Sequence, residues 1–140
     1  VIQDRLGLEI MRGCTQGCRF CQAGTWYRPV REHDPASVVE RLERQIDETG
    51  FEEVGLLSLS TADYSCIDPL ASAVTEELAE RNAAMSVSSL RVYGVTQKLA
   101  ERIARLRKTG FTIAPEAGTQ RTLCTCRVRS TRLPSSSVAQ

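Results

Sequence analysis

The sequence lacks a long hydrophobic run, and this excludes a membrane-spanning helix. No apolar stretch among its 140 residues approaches the roughly 18 residues that cross a bilayer, and no signal-peptide pattern opens the chain. A charge excess of one sign is also missing, because 18 Lys and Arg face 17 Asp and Glu for a net charge of +1. We therefore expect a cytoplasmic protein with no general attraction for nucleic acids or anionic membranes.

The composition is that of an ordinary globular domain. Hydrophobic residues make up 41% and charged residues 25% of the chain, which excludes an intrinsically disordered or fibrous chain. At this length folding buries roughly two thirds of the surface of the unfolded chain, so a core can form without disulfides or metals. The chain begins with Val1 rather than Met, and we expect it to be a piece of a longer protein.

Six cysteines are the unusual part of the composition. Three cluster near the N-terminus, one stands alone and two lie near the C-terminus: Cys14, Cys18, Cys21, Cys66, Cys124 and Cys126. The clustered thiols have no matching cluster downstream, and nothing marks the chain as secreted, so disulfide pairing is disfavoured. The spacing predicts a metal or cluster site in a reducing compartment.

Apolar runs that suit buried strands alternate with stretches of helical periodicity. Strands are predicted over residues 6–11, 51–59, 85–92 and 111–114. The first two helices are predicted to begin after Asp34 and Asp68, which can cap them, and the third to end before Gly110. Such repeated βα units imply right-handed crossovers and a parallel sheet. The predicted fold class is α/β, either doubly wound or part of a barrel, with its chemistry at the carboxyl ends of the strands.

The strongest motif is C-x3-C-x2-C, which follows the first predicted strand. Thiolates are the ligands of iron–sulfur clusters. Three on one short loop can hold three irons of a cubane and leave the fourth iron open to a small molecule. Gly13 and Gly17, beside the cysteines, would let the backbone approach the cluster closely, with N–H groups available to its sulfides.

Two other interpretations of the three cysteines stay open. Their spacing would also place them on one face of a helix as small core residues, although the two glycines oppose a helix there. A zinc site is the stronger competitor, because Cys66, His33 or a C-terminal cysteine could supply a fourth ligand. No second two-ligand knuckle follows in the sequence, which favours the iron–sulfur interpretation.

The motif and its surroundings resemble the radical S-adenosylmethionine superfamily. An aromatic residue, Phe20, stands just before the last cysteine of the motif, at the end of the first strand of an α/β chain. Residues 12–24, 58–64 and 114–120 are similar to a subgroup whose full-length members carry a cobalamin-binding domain before the radical domain. The resemblance covers about residues 4–121.

The resemblance also implies a domain organisation. The superfamily core usually comprises six βα units, whereas this chain supplies about four over residues 1–121. The implied fold is part of an incomplete TIM-like (β/α)6 barrel. Residues 122–140 are rich in Ser, Thr and Arg without periodicity, and we expect them to form an irregular, disordered tail.

The resemblance implies the following chemistry. Cys14, Cys18 and Cys21 hold a 4Fe–4S cluster whose open iron binds the amino and carboxylate groups of S-adenosylmethionine. An electron from the reduced cluster cleaves the sulfonium to methionine and a 5'-deoxyadenosyl radical, which abstracts hydrogen from a substrate that the sequence does not identify. A flavodoxin or ferredoxin is the expected electron donor. The alternative is a zinc- or iron-binding structural or interaction module without catalysis.

Polar residues after the second predicted strand are candidates for binding the cofactor. Ser58, Ser60 and Asp63 lie where the resemblance implies groups for the amino end of S-adenosylmethionine. Most members carry a Gly-Gly-Glu-like segment there, and this chain does not. The alternative is that Thr61 and Asp63 turn the chain and cap the next helix.

Further cofactor-binding candidates follow the other strands. Ser89 and Arg91 end the third predicted strand, and Arg91 could pair bidentately with the methionine carboxylate. Glu116 leaves the fourth strand, where its carboxylate could accept hydrogen bonds from ribose hydroxyls or the ammonium group. Phe20 would pack against the adenine, or else simply belong to the core. No catalytic side chain is predicted.

Overall fold

The computed structural model describes residues 4–90 and 97–107 of the chain. Its elements, in chain order, are β1 (Leu6–Glu9), β2 (Met11–Arg12), α1 (Ala23–Trp26), β3 (Arg31–Glu32), α2 (Pro35–Thr49), β4 (Glu53–Leu57), a 3-10 turn (Thr61–Asp63), α3 (Ile67–Glu80), β5 (Ala84–Val87) and α4 (Gln97–Leu106). The strand predicted over 111–114 and the tail predicted over 122–140 lie outside the described residues. In the described ranges, no helix combines the length and apolar character needed to cross a membrane.

Three strands form a parallel sheet in the order β1–β4–β5. Leu6 of β1 stands opposite Val54 of β4, and Val54 stands opposite Met85 of β5. Neighbouring strands are therefore consecutive βα units, and the prediction of an α/β chain with a parallel sheet is confirmed. Strand β4 is shorter than the run predicted over 51–59, and β5 ends at Val87, before the end of the run predicted over 85–92. Positions 91–92 of that run lie outside the described residues.

In the part of the chain that the structure describes, the long helices form a single layer on one face of the sheet. Helix α2 packs on β1 and on α3, and α3 packs on β5 and on α4. The side chains that face this layer are fully or almost fully buried: Leu6, Leu8, Val54, Leu56 and Met85 on the strands, with Leu42, Leu70, Leu78, Leu99 and Ile103 on the helices. The intervening strand positions, such as Gly7, Gly55 and Leu57, belong to the opposite face. Leu57 is 38% exposed there.

Helix α2 forms as its sequence predicts. The Asp34 carboxylate accepts the backbone N–H of Ser37 at 3.2 Å, and Pro35 occupies the first helical position. The apolar residues recur on one face and are buried against the sheet: Val38, Leu42 and Ile46. Gly50 ends the helix in the left-handed conformation, with φ 69°, and donates its N–H to the Ile46 carbonyl at 2.8 Å.

Helix α3 begins earlier than predicted. Asp68 does not cap it, because the helix already starts at Ile67 and Cys66 occupies the capping position without a side-chain hydrogen bond. Pro69 is tolerated in the first turn, where no intrahelical partner exists for a backbone N–H. The Asp68 carbonyl instead accepts the Arg102 guanidinium of α4 at 2.6 Å, so this residue joins two helices.

The first predicted strand, residues 6–11, is interrupted at Ile10. The Ile10 N–H donates to the Leu57 carbonyl at 3.0 Å, whereas its carbonyl accepts the His33 N–H at 2.9 Å. The chain therefore leaves the parallel sheet here, and β2 pairs antiparallel with β3, with Met11 opposite Glu32. This two-stranded ladder closes the base of the cysteine loop, which we define as residues 13–30.

Candidate functional site

The cysteine loop leaves the sheet at the carboxyl end of β1, where the parallel topology predicts a functional site. Cys14 is buried, and Cys18 and Cys21 are half-buried. The N–H of Cys21 donates to the Cys18 carbonyl at 3.1 Å in a turn, and the short helix α1 begins only at Ala23. The alternative that placed all three cysteines on one helix face is therefore wrong.

Gly13 has a conformation that explains how the loop begins. Its φ is 93°, and a β-carbon there would lie 2.6 Å from the Tyr27 carbonyl oxygen and 3.0 Å from the Val30 Cα. Both are backbone atoms, so the two ends of the cysteine loop pass each other at a distance that only glycine permits. Gly17 differs, since a β-carbon there would meet nothing within 4 Å.

The chemistry of the donor set fits an iron–sulfur cluster. Cys14, Cys18, Cys21 and Cys66 form no disulfide bonds, and the Cys14 sulfur accepts the backbone N–H of Gln16 at 3.4 Å. Amide hydrogen bonds of this kind orient and tune thiolate ligands. Over residues 4–90 and 97–107, no three His, Cys, Asp or Glu side chains are gathered into a ready metal site. The fit therefore rests on the three thiols of one closed loop, none of which forms a disulfide.

Asp63 connects the cysteine loop with the segment after β4. Its Oδ2 atom accepts three hydrogen bonds: from Thr15 Oγ1 at 3.0 Å, from Gln16 Nε2 at 2.7 Å and from Ser60 Oγ at 2.7 Å. Thr15 and Gln16 lie between the first two cysteines of the motif. The structure thus brings one predicted site residue, Asp63, directly against the cysteine loop, and a second, Ser60, donates to the same carboxylate oxygen.

The next two residues also hold the base of this loop. Tyr64 is buried, and its hydroxyl donates to the His33 carbonyl at 2.8 Å. Burial, followed by the negative charge of nearby groups, raises the pKa of Tyr64 to about 12. Ser65 donates its N–H and its hydroxyl to the Glu32 carboxylate at 3.1 and 3.0 Å. Residues 63–65 therefore contact the cysteine loop and the strand that closes it at three consecutive positions.

A second hydroxyl network joins the ends of β4 and β5. Ser58 Oγ lies 2.8 Å from Thr61 Oγ1, and Thr61 Oγ1 in turn donates to the Ser88 carbonyl. Ser88 Oγ donates to the Leu56 carbonyl at 3.0 Å and accepts the Ser58 N–H at 3.2 Å. Sequence reasoning missed Ser88. The only signal was the Ser88–Ser89 pair after the strand, which does not indicate which hydroxyl turns inward.

The other residues predicted to bind the cofactor are Phe20, Ser89, Arg91 and Glu116. Ser89 is exposed after β5, and its φ of 52° is an uncommon conformation for a residue with a side chain. Arg91 and Glu116 lie outside the described residues. Phe20 is 57% exposed, so the alternative that placed it in the core is wrong. Trp26, on the same loop, is 74% exposed.

An ion pair flanks the start of the cysteine loop. The Arg12 guanidinium donates Nε–H and Nη2–H to the two Glu9 carboxylate oxygens, each at 2.7 Å. These hydrogen bonds hold the pKa of Glu9 below its usual range. Glu9 therefore remains charged and paired beside the cysteines, at the end of β1.

The fold and the site define an α/β protein whose cysteine motif lies on the first strand-to-helix connection of a parallel sheet. The sequence profile described as the radical SAM superfamily matches residues 8–134, and the chain belongs to this superfamily.

A relative with no stated activity was also found. Over 114 residues the chain is 35% identical to the uncharacterized protein MJ0966 of Methanocaldococcus jannaschii. The match covers 81% of this chain and 24% of that protein. The chain therefore spans about a quarter of the length of its relative.

Proposed function

We propose that this chain holds a 4Fe–4S cluster on Cys14, Cys18 and Cys21 and binds S-adenosylmethionine at the same edge of the sheet. The observation that carries the proposal is the closed loop at the carboxyl end of β1, with three thiols that form no disulfide. When bound and reduced, the cluster supplies the electron that cleaves S-adenosylmethionine to methionine and a 5'-deoxyadenosyl radical.

The protein's own contribution is to close and orient the loop. The β2–β3 ladder fixes the two ends of the loop, and the Gln16 N–H faces the Cys14 sulfur at 3.4 Å. Cys14 is buried while Cys18 and Cys21 are half-buried. Cys14, Cys18 and Cys21 would hold the cluster, with Cys18 and Cys21 as its more exposed ligands.

The proposed S-adenosylmethionine site contains these residues: Phe20, Ser58, Ser60, Asp63, Ser89, Arg91 and Glu116. Ser58 and Ser60 support the proposal because they lie in the segment that contacts the cysteine loop through Asp63. Ser89 is exposed just after β5, and its positive φ is a backbone conformation that is enriched at functional sites. The exposed ring of Phe20 is free to stack on an adenine.

We further propose that residues 1–121 form part of a (β/α)6 barrel and that 122–140 are a tail. Within residues 4–90 and 97–107, the long helices lie on one face of the sheet and the strands have the consecutive order β1–β4–β5. Both features support a barrel over a doubly wound sheet, in which helices cover both faces. In this proposal the chain belongs to a longer protein of the cobalamin-associated subgroup. Sequencing the DNA on both sides of the coding region tests that part directly.

The proposed setting follows from the cofactors. Free thiols and an oxygen-sensitive cluster suit a reducing compartment such as the cytoplasm. A flavodoxin or ferredoxin is the proposed electron donor, and the substrate is an unidentified molecule that yields a hydrogen atom.

Anaerobic reconstitution with iron and sulfide tests the proposal. We expect a brown protein with about four irons per chain, and formation of 5'-deoxyadenosine after reduction in the presence of S-adenosylmethionine. Cys18→Ala should abolish both. Cys66→Ala is the matched control, because Cys66 is a half-buried free thiol outside the cysteine loop, and it should retain both. A colourless wild-type protein that binds one zinc would reject the proposal in favour of a zinc module.

A further inference from the structure

One carboxylate oxygen carries three hydrogen bonds at the point where the cysteine loop meets the end of β4. Two of the donors, Thr15 Oγ1 and Gln16 Nε2, come from within the cysteine motif, and the third is Ser60 Oγ. The Asp63 side chain is 47 residues from Gln16 in sequence. This is therefore a tertiary contact, and it does not arise from the local turn.

The local turn accounts for only one of the three bonds. Within the 3-10 turn, the Asp63 N–H donates to the Ser60 carbonyl at 3.0 Å, and the Ser60 hydroxyl donates to the Asp63 carboxylate. An aspartate that served only to shape this turn would not need donors from a distant loop. The two bonds to Thr15 and Gln16 require a second explanation.

Gln16 links Asp63 to a cysteine. Its side-chain amide donates to Asp63 Oδ2 at 2.7 Å, while its backbone N–H donates to the Cys14 sulfur at 3.4 Å. Fixing the side chain of Gln16 restricts the peptide unit that faces Cys14. Hydrogen bonds to an ionised acceptor are shorter and stronger than those between neutral groups, so Asp63 suits this role better than a serine or asparagine.

We propose that Asp63 is a positioning residue for the cysteine loop, acting through Gln16 on the Cys14 sulfur. The contact itself involves only protein atoms, but its value for holding a cluster rests on the proposed function. Mutation of a residue that orients the ligands of a metal site by hydrogen bonding typically lowers metal affinity about 10- to 100-fold.

The rate at which iodoacetamide alkylates each cysteine of the metal-free protein tests the contact. Cys14 is 8% exposed, so its alkylation requires local opening of the loop, and the rate reports the opening equilibrium. In Asp63→Ala we expect the Cys14 rate to rise about tenfold, which corresponds to ~1.4 kcal/mol. Asp63→Asn keeps one acceptor oxygen and should give an intermediate rate.

Two controls separate loop release from general unfolding. Asp47→Ala removes a carboxylate that pairs with Arg81 at 3.2 Å, away from the cysteine loop, and should leave the Cys14 rate unchanged. The alkylation rate of Cys66 should stay constant in every variant, together with the far-ultraviolet circular dichroism. Gln16→Ala should raise the Cys14 rate, and adding it to Asp63→Ala should produce little further increase because both remove the same contact.

A Cys14 rate in Asp63→Ala within twofold of the wild type, with Cys66 unchanged, overturns the proposal. A parallel measurement addresses the cluster: the reconstituted Asp63→Ala protein should lose iron to a chelator severalfold faster than the wild type. If the wild type forms no cluster but Cys14 is still released in Asp63→Ala, the proposed function fails while the positioning contact stands. A wild-type cluster with an unchanged Cys14 rate refutes only the contact.

Discussion

Replacing Gly13 with alanine should destabilise the protein strongly, because Gly13 combines an unusual backbone angle with a crowded position. Its φ is 93°, and the added β-carbon would lie 2.6 Å from the Tyr27 carbonyl oxygen. The second neighbour is the Val30 Cα at 3.0 Å. Neither atom can rotate away as the end of a flexible side chain would, so the cysteine loop itself must shift.

The expected magnitude has two parts. A residue with a side chain loses about 1–2 kcal/mol in a left-handed conformation, and forcing extra volume into a packed position costs about 1–3 kcal/mol. Together they predict a loss of about 2–5 kcal/mol in the free energy of unfolding. This is a large share of the ~5–15 kcal/mol that stabilises a typical domain.

Urea unfolding followed by circular dichroism measures this loss. Gly17→Ala is the matched control, since it lies in the same loop and its β-carbon would meet nothing within 4 Å. We expect the control to stay within about 0.5 kcal/mol of the wild type. If Gly13→Ala proved as stable as Gly17→Ala, or more stable, the crowding argument would be refuted.

Two further predictions concern residues at the edges of the site. Asp34→Ala should lower the free energy of unfolding by about 0.5–2 kcal/mol, because the Ser37 N–H loses its acceptor at 3.2 Å. Asp34→Asn keeps an acceptor oxygen, so in the same urea titration it should lose much less stability. Burial raises the pKa of Tyr64 to about 12, whereas an unfolded tyrosine ionises near pH 10. Between these two pH values the folded state binds more protons than the unfolded state. The free energy of unfolding should therefore fall as the pH rises through this window. In Tyr64→Phe that part of the fall should disappear, and an identical stability profile from about pH 10 to 12 in both proteins would contradict the shift.

Much of the fold could be predicted because its signals are local and repeated. Helix α2 has a capping aspartate, a proline at its first position, apolar residues at helical spacing and a terminal glycine. Each signal acts within a few residues, and all agree. The parallel sheet followed from the alternation of such helices with apolar strands, and the cysteine motif was placed correctly at a strand end.

The parts that could not be predicted depend on contacts between distant segments. The strands of the β2–β3 ladder have two residues each, too few for a period-2 pattern, and the interruption of the first strand at Ile10 depends on partners at Leu57 and His33. The early start of α3 at Ile67 could not be predicted, because no capping side chain marks it. The inward position of Ser88 is set by carbonyl groups of β4, which the sequence around Ser88 does not contain.

The geometry of the site makes the order of the cysteine loop depend on the parallel sheet. Residues 63–65 reach the loop and its closing strand because β4 pairs in parallel with β1, which places the end of β4 beside the start of the loop. A substitution in the β1–β4 interface that leaves the helices intact should therefore release Cys14 as Asp63→Ala does. The core of the sheet and the cysteines of the proposed cofactor site are in this sense one cooperative unit, joined through three consecutive residues.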